Sequence, residues 1–358
     1  MNILHITPDL NYSDGRSYYV YLLLKYLKRN GHNVHLCTNA GDSFSRLRDE
    51  GVDYSVKSFL TDKFSLLKSV KYISDIVKKN EIEIIHSHHR YCEILANAVS
   101  MTLNRKIKTV FTALSIVDKR YKIEYKSDLI IAVSRTVKEM LTCRFRLSDD
   151  RIVLIPNFAD TEEIKQNNSL PVTDKKSVAS DVNILSVGRF HKDKDFMTLL
   201  KALQKTNNRN LTLTLIGEGT DKELYSDFIS INGLRAEIIP PQKDLRKYYI
   251  NADICILPSV RDPFPGFMLQ SGLHSKPFIG SDTDGIAELI KNGINGLLFL
   301  KKDPDDLAAK IELFVRNKIL AGNCAAGLHE TVMSNYTERQ IIPEIEQQYF
   351  KLINRNSN

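Results

Sequence analysis

Short β-branched runs alternate with amphipathic helical runs along most of this chain, and that alternation limits the possible folds more than any other feature. Residues 3–7 read as a strand. Residues 16–30 read as a helix, with Val20, Leu23, Leu24 and Leu27 on one face and Gly31 as its stop. Further strands are expected at 34–38, 83–86, 108–112, 129–133 and 152–155, with helices at 66–79, 93–103 and 135–141. Strands separated by helix-length segments pair in parallel through crossovers. The expected product is an α/β sheet covered on both faces.

A polar stretch, Gln166-Asn167-Asn168-Ser169 through Asp174-Lys175-Lys176-Ser177, interrupts the pattern and reads as a linker. The alternation then restarts, with strands expected at 183–187, 212–216, 237–239, 254–257 and 277–280. Helices fit at 196–204, 222–231, 245–249, 267–274 and 286–291, and the segments 304–316, 324–333 and 338–352 look purely helical. With 358 residues the chain is long enough for two domains. The expected division is 1–170 and 180–336. Two α/β domains facing each other leave a cleft at the carboxyl ends of their sheets, where such folds bind ligands.

The first residues, Met1-Asn2-Ile3-Leu4-His5-Ile6, form too short an apolar run for a signal peptide and lack a basic start. No stretch approaches the length of a membrane-spanning helix, so a cytoplasmic protein is expected. Cys37, Cys92, Cys143, Cys255 and Cys324 are scattered and never spaced Cys-x-x-Cys. This argues against a disulfide framework or a zinc site and fits buried thiols in a reducing compartment. The formal net charge is +7, and part of the excess is local: Arg105, Lys106, Lys108, Lys119, Arg120, Lys122 and Lys126 lie close together, against Asp118 and Glu124. The plain reading is a solvated face. The sharper one is a surface for anionic lipid or a phosphorylated substrate. No nucleic-acid-binding motif accompanies the charge, so nucleic acid is not an expected partner.

The segment richest in chemistry runs from 257 to 299. Leu257-Pro258-Ser259-Val260-Arg261-Asp262-Pro263-Phe264-Pro265-Gly266 ends a strand and opens a helix, followed by Phe267-Met268-Leu269-Gln270-Ser271-Gly272. Free backbone N–H groups at such a helix start favour an anion such as a diphosphate. Asp262 sits in the loop and Gln270 about one turn into the helix, so both could point at a ligand held there. Taken singly, Asp262 reads as a turn cap and Gln270 as a residue on a solvated face. Asp284-Gly285-Ile286-Ala287-Glu288 and Asn292-Gly293-Ile294-Asn295-Gly296 close the segment.

This segment resembles the signature of the family 4 retaining glycosyltransferases of the GT-B fold. Those enzymes carry two glutamates separated by seven residues, and Asp262 and Gln270 keep that spacing while both residues differ. The resemblance implies that Asp262 contacts the donor sugar and Gln270 the ribose hydroxyls, with Gly266, Phe267 and Met268 among the donor-binding positions. Val187-Gly188-Arg189-Phe190-His191-Lys192-Asp193-Lys194 is similar to the family's strand-end Gly-Arg with a lysine five residues on. Gly188 then faces the donor, and Arg189 and Lys194 clamp its diphosphate. Breaking the sugar–phosphate bond loads negative charge on the leaving diphosphate, which fixed cations stabilise. Leu215-Ile216-Gly217-Glu218-Gly219 resembles the loop beside the nucleotide base, which brings in Gly217 and Glu218. Glu288 fits the family's acid in a Gly-x-x-Glu turn, although an acid at a helix start needs no function.

The first half fits the same resemblance. Asp14-Gly15 stands where relatives carry a glycine pair beside the donor phosphate, and here only Gly15 remains. Ile85-His86-Ser87-His88-His89 resembles the family's strand-end His-x-His. Three histidines so close invite a metal reading, but no carboxylate stands at ligand spacing, so no metal is expected. Ser127-Asp128-Leu129-Ile130-Ile131-Ala132-Val133-Ser134 and Ile155-Pro156-Asn157-Phe158-Ala159-Asp160 are similar to two further family blocks. The last helix, within 337–358, corresponds to the one that crosses back onto the first domain. Leu114 replaces a histidine that faces the donor sugar in relatives. With His88, Arg90, Lys119 and Arg120, it is expected to face sugar or acceptor.

The resemblance implies a GT-B protein of two Rossmann-like domains that transfers a sugar with retention from a UDP- or GDP-linked donor. The acceptor would be a glycan or lipid-linked glycan of the kind used in bacterial polysaccharide biosynthesis. No metal or cofactor is expected, and the inner, anionic membrane surface is a candidate partner. Oligomeric state is left open. Loss of the histidine and of both glutamates favours an alternative, a pseudo-transferase serving as a binding or scaffold subunit. A dehydrogenase fails because no Gly-x-Gly-x-x-Gly follows the first strand, and a nucleotide-sugar epimerase finds no support in these blocks.

Overall fold

Among the described residues the β-branched runs form strands that pair in parallel, in two separate sheets. The computed structural model describes residues 1–358 except 105, 106, 166–180, 207, 209, 355–358 and the side chain of Lys63. The expected linker, with Arg105 and Lys106, lies outside the described residues. The chain divides into two compact units, Met1–Asn157 with Arg339–Asn358, and Phe158–Glu338.

The first unit holds β1 (Asn2–Leu10), β2 (Asn33–Gly41), β3 (Asp53–Val56), β4 (Ile84–Ser87), β5 (Lys108–Ala113), β6 (Leu129–Ala132) and β7 (Ile152–Leu154), ordered β3-β2-β1-β4-β5-β6-β7. Its helices are α1 (Gly15–Arg29), α2 (Phe44–Asp49), α3 (Leu66–Lys79), α4 (Arg90–Thr102) and α5 (Arg135–Glu139), which runs on into a π-helical turn at Met140–Arg144. Asp14 starts α1 by accepting the Ser17 N–H at 3.2 Å, and Lys28 and Arg29 occupy its last turn, favourably to the helix dipole. Leu4, Ile6, Ile73, Val77, Ile85, Leu95 and Val99 build one apolar layer between the sheet and α3–α4.

The second unit begins with α6 (Glu162–Lys165) and holds β8 (Val182–Val187), β9 (Leu211–Ile216), β10 (Ala236–Ile239), β11 (Ile254–Leu257), β12 (Phe278–Ser281) and β13 (Leu297–Phe299). Their order is β10-β9-β8-β11-β12-β13. The helices are α7 (Phe196–Lys205), α8 (Lys222–Ile231), α9 (Arg246–Asn251), α10 (Gly266–Leu273), α11 (Asp284–Leu289), α12 (Pro304–Arg316) and α13 (Lys318–Asn335). In each unit the chain builds outward to one side, then returns to pair on the other side of its first strand. The reversal falls between β1 and β4 and between β8 and β11. Ligand crevices form at such points.

Four elements are absent from the sequence-based expectation: β3, β13, α2 and α6. β3 is an edge strand with no buried residue, and β13 has three residues, so neither carries a readable pattern. The helix expected at 324–333 is longer, because Asn317 caps α13 by accepting the Leu320 N–H at 3.0 Å. The domain border also shifts. Residues 158–165 belong to the second unit, where Ala159 N–H donates to Tyr336 O at 2.9 Å and Thr161 N–H to the Glu338 carboxylate at 3.0 Å. The last helix, α14 (Glu338–Asn354), returns to the first unit from Arg339 onward. There the Tyr349 hydroxyl meets His86 Nδ1 at 2.6 Å and Glu346 meets His32 at 2.8 Å. Among the described residues no helix is long and apolar enough to cross a membrane.

Candidate functional site

In the second unit the sequence-predicted residues gather at the carboxyl ends of the two strands that flank the reversal. β8 ends at Val187, and Gly188 and Arg189 follow directly. Lys194 lies farther along that turn and stretches back over Gly188, where an added Cβ would stand 3.6 Å from the Lys194 stem. Gly217, after β9, closes against the same turn: a Cβ there would come within 2.0 Å of the Gly188 carbonyl oxygen, so no larger residue fits. Phe190 N–H donates to Glu218 O at 2.8 Å and ties the two turns together.

Asp262 comes from the turn after β11 and is buried, with 4% of its surface exposed. Its carboxylate is ion-paired with the Lys194 ammonium and accepts from the Ser259 hydroxyl at 3.1 Å. Its backbone is held on both sides. Asp262 N–H donates to the Asp284 carboxylate at 3.0 Å, and Asp262 O accepts from Gly285 N–H at 3.1 Å. Asp193 O binds the N–H groups of Val260 and Arg261 at 2.8 and 3.3 Å, which joins the β8 and β11 turns directly. Ser259, Asp193, Asp284 and Gly285 are positioning residues that the sequence reading did not single out. The readable signal was the Asp284-Gly285 dipeptide, a turn former, which the structure sets with Asp284 at φ 43°. Burial raises the Asp284 carboxyl above its ordinary value.

Arg189 differs from Lys194. Its side chain is exposed and forms no ion pair among the described residues. Glu218 is exposed and Glu288, on α11, is half-buried. α10 starts at Gly266 after Pro265, and no side chain caps it, so its first N–H groups are left for a ligand or water. Phe267 and Met268 are buried, and the Phe267 ring packs against Tyr249 and Phe278 at centroid distances of 5.9 and 6.3 Å. Backbone N–H groups are therefore what these two positions can offer a ligand. Gln270 is buried, so the reading of a solvated face does not hold.

In the first unit the expected residues are more dispersed. Gly15 begins α1 with open space around its Cβ position, and Arg16 beside it pairs with Asp9 at 2.7 Å and Asp14 at 3.0 Å. His88 is buried instead of facing outward, and its Nε2 bonds His5 Nδ1 at 2.9 Å. The histidine cluster is His5, His86 and His88, whose nitrogens come within 4.8 Å of one another, and not the sequence-adjacent His86, His88 and His89. His89 instead caps α4 by accepting the Tyr91 N–H at 3.2 Å. His5 was missed because it comes from β1, which parallel pairing sets beside His86. His86 Nε2 meets the Thr112 hydroxyl at 2.6 Å and its Nδ1 the Tyr349 hydroxyl. Burial lowers His5 to about 3 and holds His86 and His88 well below the ordinary imidazole value, so all three are neutral at pH 7.

The basic loop after β5 is partly tied down. Arg90 is ion-paired with Glu124 and donates to Lys119 O at 3.0 Å, while Arg120 donates to Phe145 O at 2.9 Å. Buried Glu93 accepts the N–H groups of Tyr125, Lys126 and Ser127 at 2.9, 2.6 and 3.0 Å. Lys119 and Lys122 are exposed and Leu114 is half-buried.

A family model described as "Glycosyltransferase Family 4" fits residues 13–163, and one described as "Glycosyl transferases group 1" fits residues 181–317. An uncharacterized glycosyltransferase of Methanocaldococcus jannaschii is 25% identical over 321 residues, covering 80% of this chain and 81% of that one. The N,N'-diacetylbacillosaminyl-diphospho-undecaprenol alpha-1,3-N-acetylgalactosaminyltransferase of Campylobacter jejuni is 22% identical, covering 93% and 94%. An Anabaena protein crystallised with UDP and glucose superposes with a TM-score of 0.84 at 16% identity, covering 98% of this chain and 100% of that one, and so shares its fold. With two Rossmann-like sheets of the GT-B fold and both family models in register along it, the chain belongs to the family 4, group 1 glycosyltransferases.

Proposed function

We propose that this glycosyltransferase moves a sugar, with retention, from a UDP- or GDP-linked donor to a glycan or lipid-linked glycan acceptor. The observation that carries the reading is the buried Asp262 carboxylate paired with Lys194 beside the uncapped start of α10. The donor diphosphate sits on the free N–H groups at Gly266 and Phe267 and is clamped by Arg189 and Lys194. As the sugar–phosphate bond breaks, both cations stabilise the charge that develops on the diphosphate. Asp262 orients the sugar, Gln270 the ribose, Gly217 and Glu218 the base, and Glu288 supports the donor from α11. In this reading the cations neutralise the diphosphate and no metal is required. The Anabaena protein's UDP and glucose and the Campylobacter enzyme's undecaprenol-linked acceptor support these ligand classes. The acceptor lies on the first unit, near Leu114, Arg90, Lys119 and Arg120, with the exposed lysines against an anionic membrane surface on the cytoplasmic side.

The test combines turnover of a panel of nucleotide-sugars with melting in UDP or GDP and a chelator. A ligand that binds the folded state at a hundred times its Kd adds about 2.7 kcal/mol. Arg189→Ala should abolish that shift while leaving the unliganded melting temperature unchanged, because the side chain is exposed and unpaired among the described residues. An unchanged shift removes Arg189 from the site. The second reading, a binding or scaffold subunit, is favoured by one observation: Lys194 and Asp262 already satisfy each other. A nucleotide shift without turnover of any donor on extracted acceptor lipids would select it.

A further inference from the structure

We infer that the carboxyl edge of the first sheet carries an apolar wedge that inserts into an anionic bilayer. It is formed by Phe64 and Leu67, in the turn before α3 and the first turn of α3, and by Tyr121 and Ile123 on the loop after β5. The inference rests on the reading of the basic loop as membrane-facing and adds to it a depth of insertion and a second loop.

Large apolar side chains are normally exposed singly. Here Phe64 is 101% exposed and Leu67 85%, while Tyr121 and Ile123 are 72% and 61% exposed. Both loops leave carboxyl ends of parallel strands, the first between β3 and α3 and the second between β5 and β6, so they emerge on one edge. Both are also fastened to the first turn of α4. Tyr91 OH donates to Asp62 O at 3.1 Å, while the neighbouring Arg90 holds Lys119 O and Glu124. Glu93, one turn on, binds the backbone from Tyr125 to Ser127. The anchors are buried or paired and the tips are bare, the reverse of a loop collapsing onto its own core.

Charge decides the occupant. Lys68, Lys119, Lys122 and Lys126 are exposed on these segments, against exposed Asp62 and Asp118, the latter paired with Arg144, while Arg90 is held by Glu124. Apolar tips beside an excess of lysines complement a surface that is anionic at its face and hydrocarbon beneath it. A protein partner or a second copy would be served equally well by a neutral rim.

The experiment is sedimentation of the full chain with sucrose-loaded vesicles of phosphatidylcholine, alone or with phosphatidylglycerol, without nucleotide or acceptor. Wild type should bind the anionic vesicles and keep part of that binding at about 0.5 M salt, where screening shrinks electrostatic reach to a few ångströms. Phe64→Ser with Leu67→Ser should weaken partitioning at least about tenfold and remove the salt-resistant part, with an unchanged circular dichroism spectrum. The chain contains no tryptophan, so Phe64→Trp supplies a single emission probe. Its emission should shift to the blue with anionic vesicles. Binding that salt abolishes completely, with no blue shift, overturns the wedge while leaving the charge reading standing. No binding by wild type overturns both. A blue shift that grows with protein concentration and needs no vesicles assigns the face to a second copy and overturns the proposal.

Discussion

Asp262, in the turn after β11, is ion-paired with Lys194, in the turn after the neighbouring strand β8, so one ion pair bridges the two turns at the point where strand order reverses. Breaking such a pair from one side leaves a buried charge uncompensated, at a cost of about 3 kcal/mol. Lys194→Met should therefore lower the urea midpoint clearly. The double variant Lys194→Met with Asp262→Leu should recover most of the loss. Neither should show nucleotide-induced stabilisation. A double variant no more stable than the single one would mean that Asp262 is stabilised by its other partners.

Gly285→Ala tests the backbone clamp on Asp262. An added Cβ would stand 2.0 Å from the Pro263 carbonyl oxygen, so the loop must move. Overpacking of this kind costs about 1–3 kcal/mol. The expected result is a lower melting temperature together with weakened nucleotide binding, read by calorimetry. Loss of stability with unaltered affinity would separate the clamp from the site.

Acid should destabilise the fold from about pH 6.5 downward. His5 and His274 fall from 6.5 to about 3 and about 4 through burial, and His86 and His88 are lowered as well. Between the folded and unfolded values the unfolded chain binds more protons, so stability rises with pH through that window and is lost as pH falls. Each such histidine adds up to about 1.4 kcal/mol per pH unit. His274→Phe keeps the stacking on Tyr249, whose ring centroid lies 4.6 Å away. In urea titrations it should lose less stability than wild type between pH 7 and pH 5. An identical drop would exonerate His274.

Leu114 cannot hydrogen-bond. If it meets the donor sugar, a hydroxyl facing it is left unpaired at about 1–3 kcal/mol, and a methyl group is preferred. A 6-deoxy sugar or pentose should be turned over roughly 10–100-fold faster than its 6-hydroxylated counterpart. Leu114→His should narrow the gap. Preference of wild type for the hydroxylated donor would sink the specificity claim.

Much of the fold was legible because the buried parallel strands are rich in apolar residues, as in Ile254–Leu257, and helices such as Lys222–Ile231 carry a clear apolar stripe. Edge strand β3 was not, since no residue there is buried. In the site, residue type and spacing pointed to Asp262 and Lys194. Neither could reveal that the two touch, because that contact depends on β8 and β11 being neighbours. His5 was hidden for the same reason. For Gln270 only the alternative of a solvated face fails, because α10 is apolar on nearly every side and has no solvent face.

The return of α14 to the first unit has a consequence for synthesis. The strands of the first sheet leave the ribosome early, but Tyr349, the phenol that meets His86, is made only after the whole of Phe158–Glu338. At typical elongation rates that interval is roughly 10–40 s. Throughout it the nascent first unit lacks its last helix, and with it the buried side chains Ile342, Ile345, Tyr349 and Leu352. The unit made first is therefore the one completed last, and during that delay chaperones have most reason to hold it.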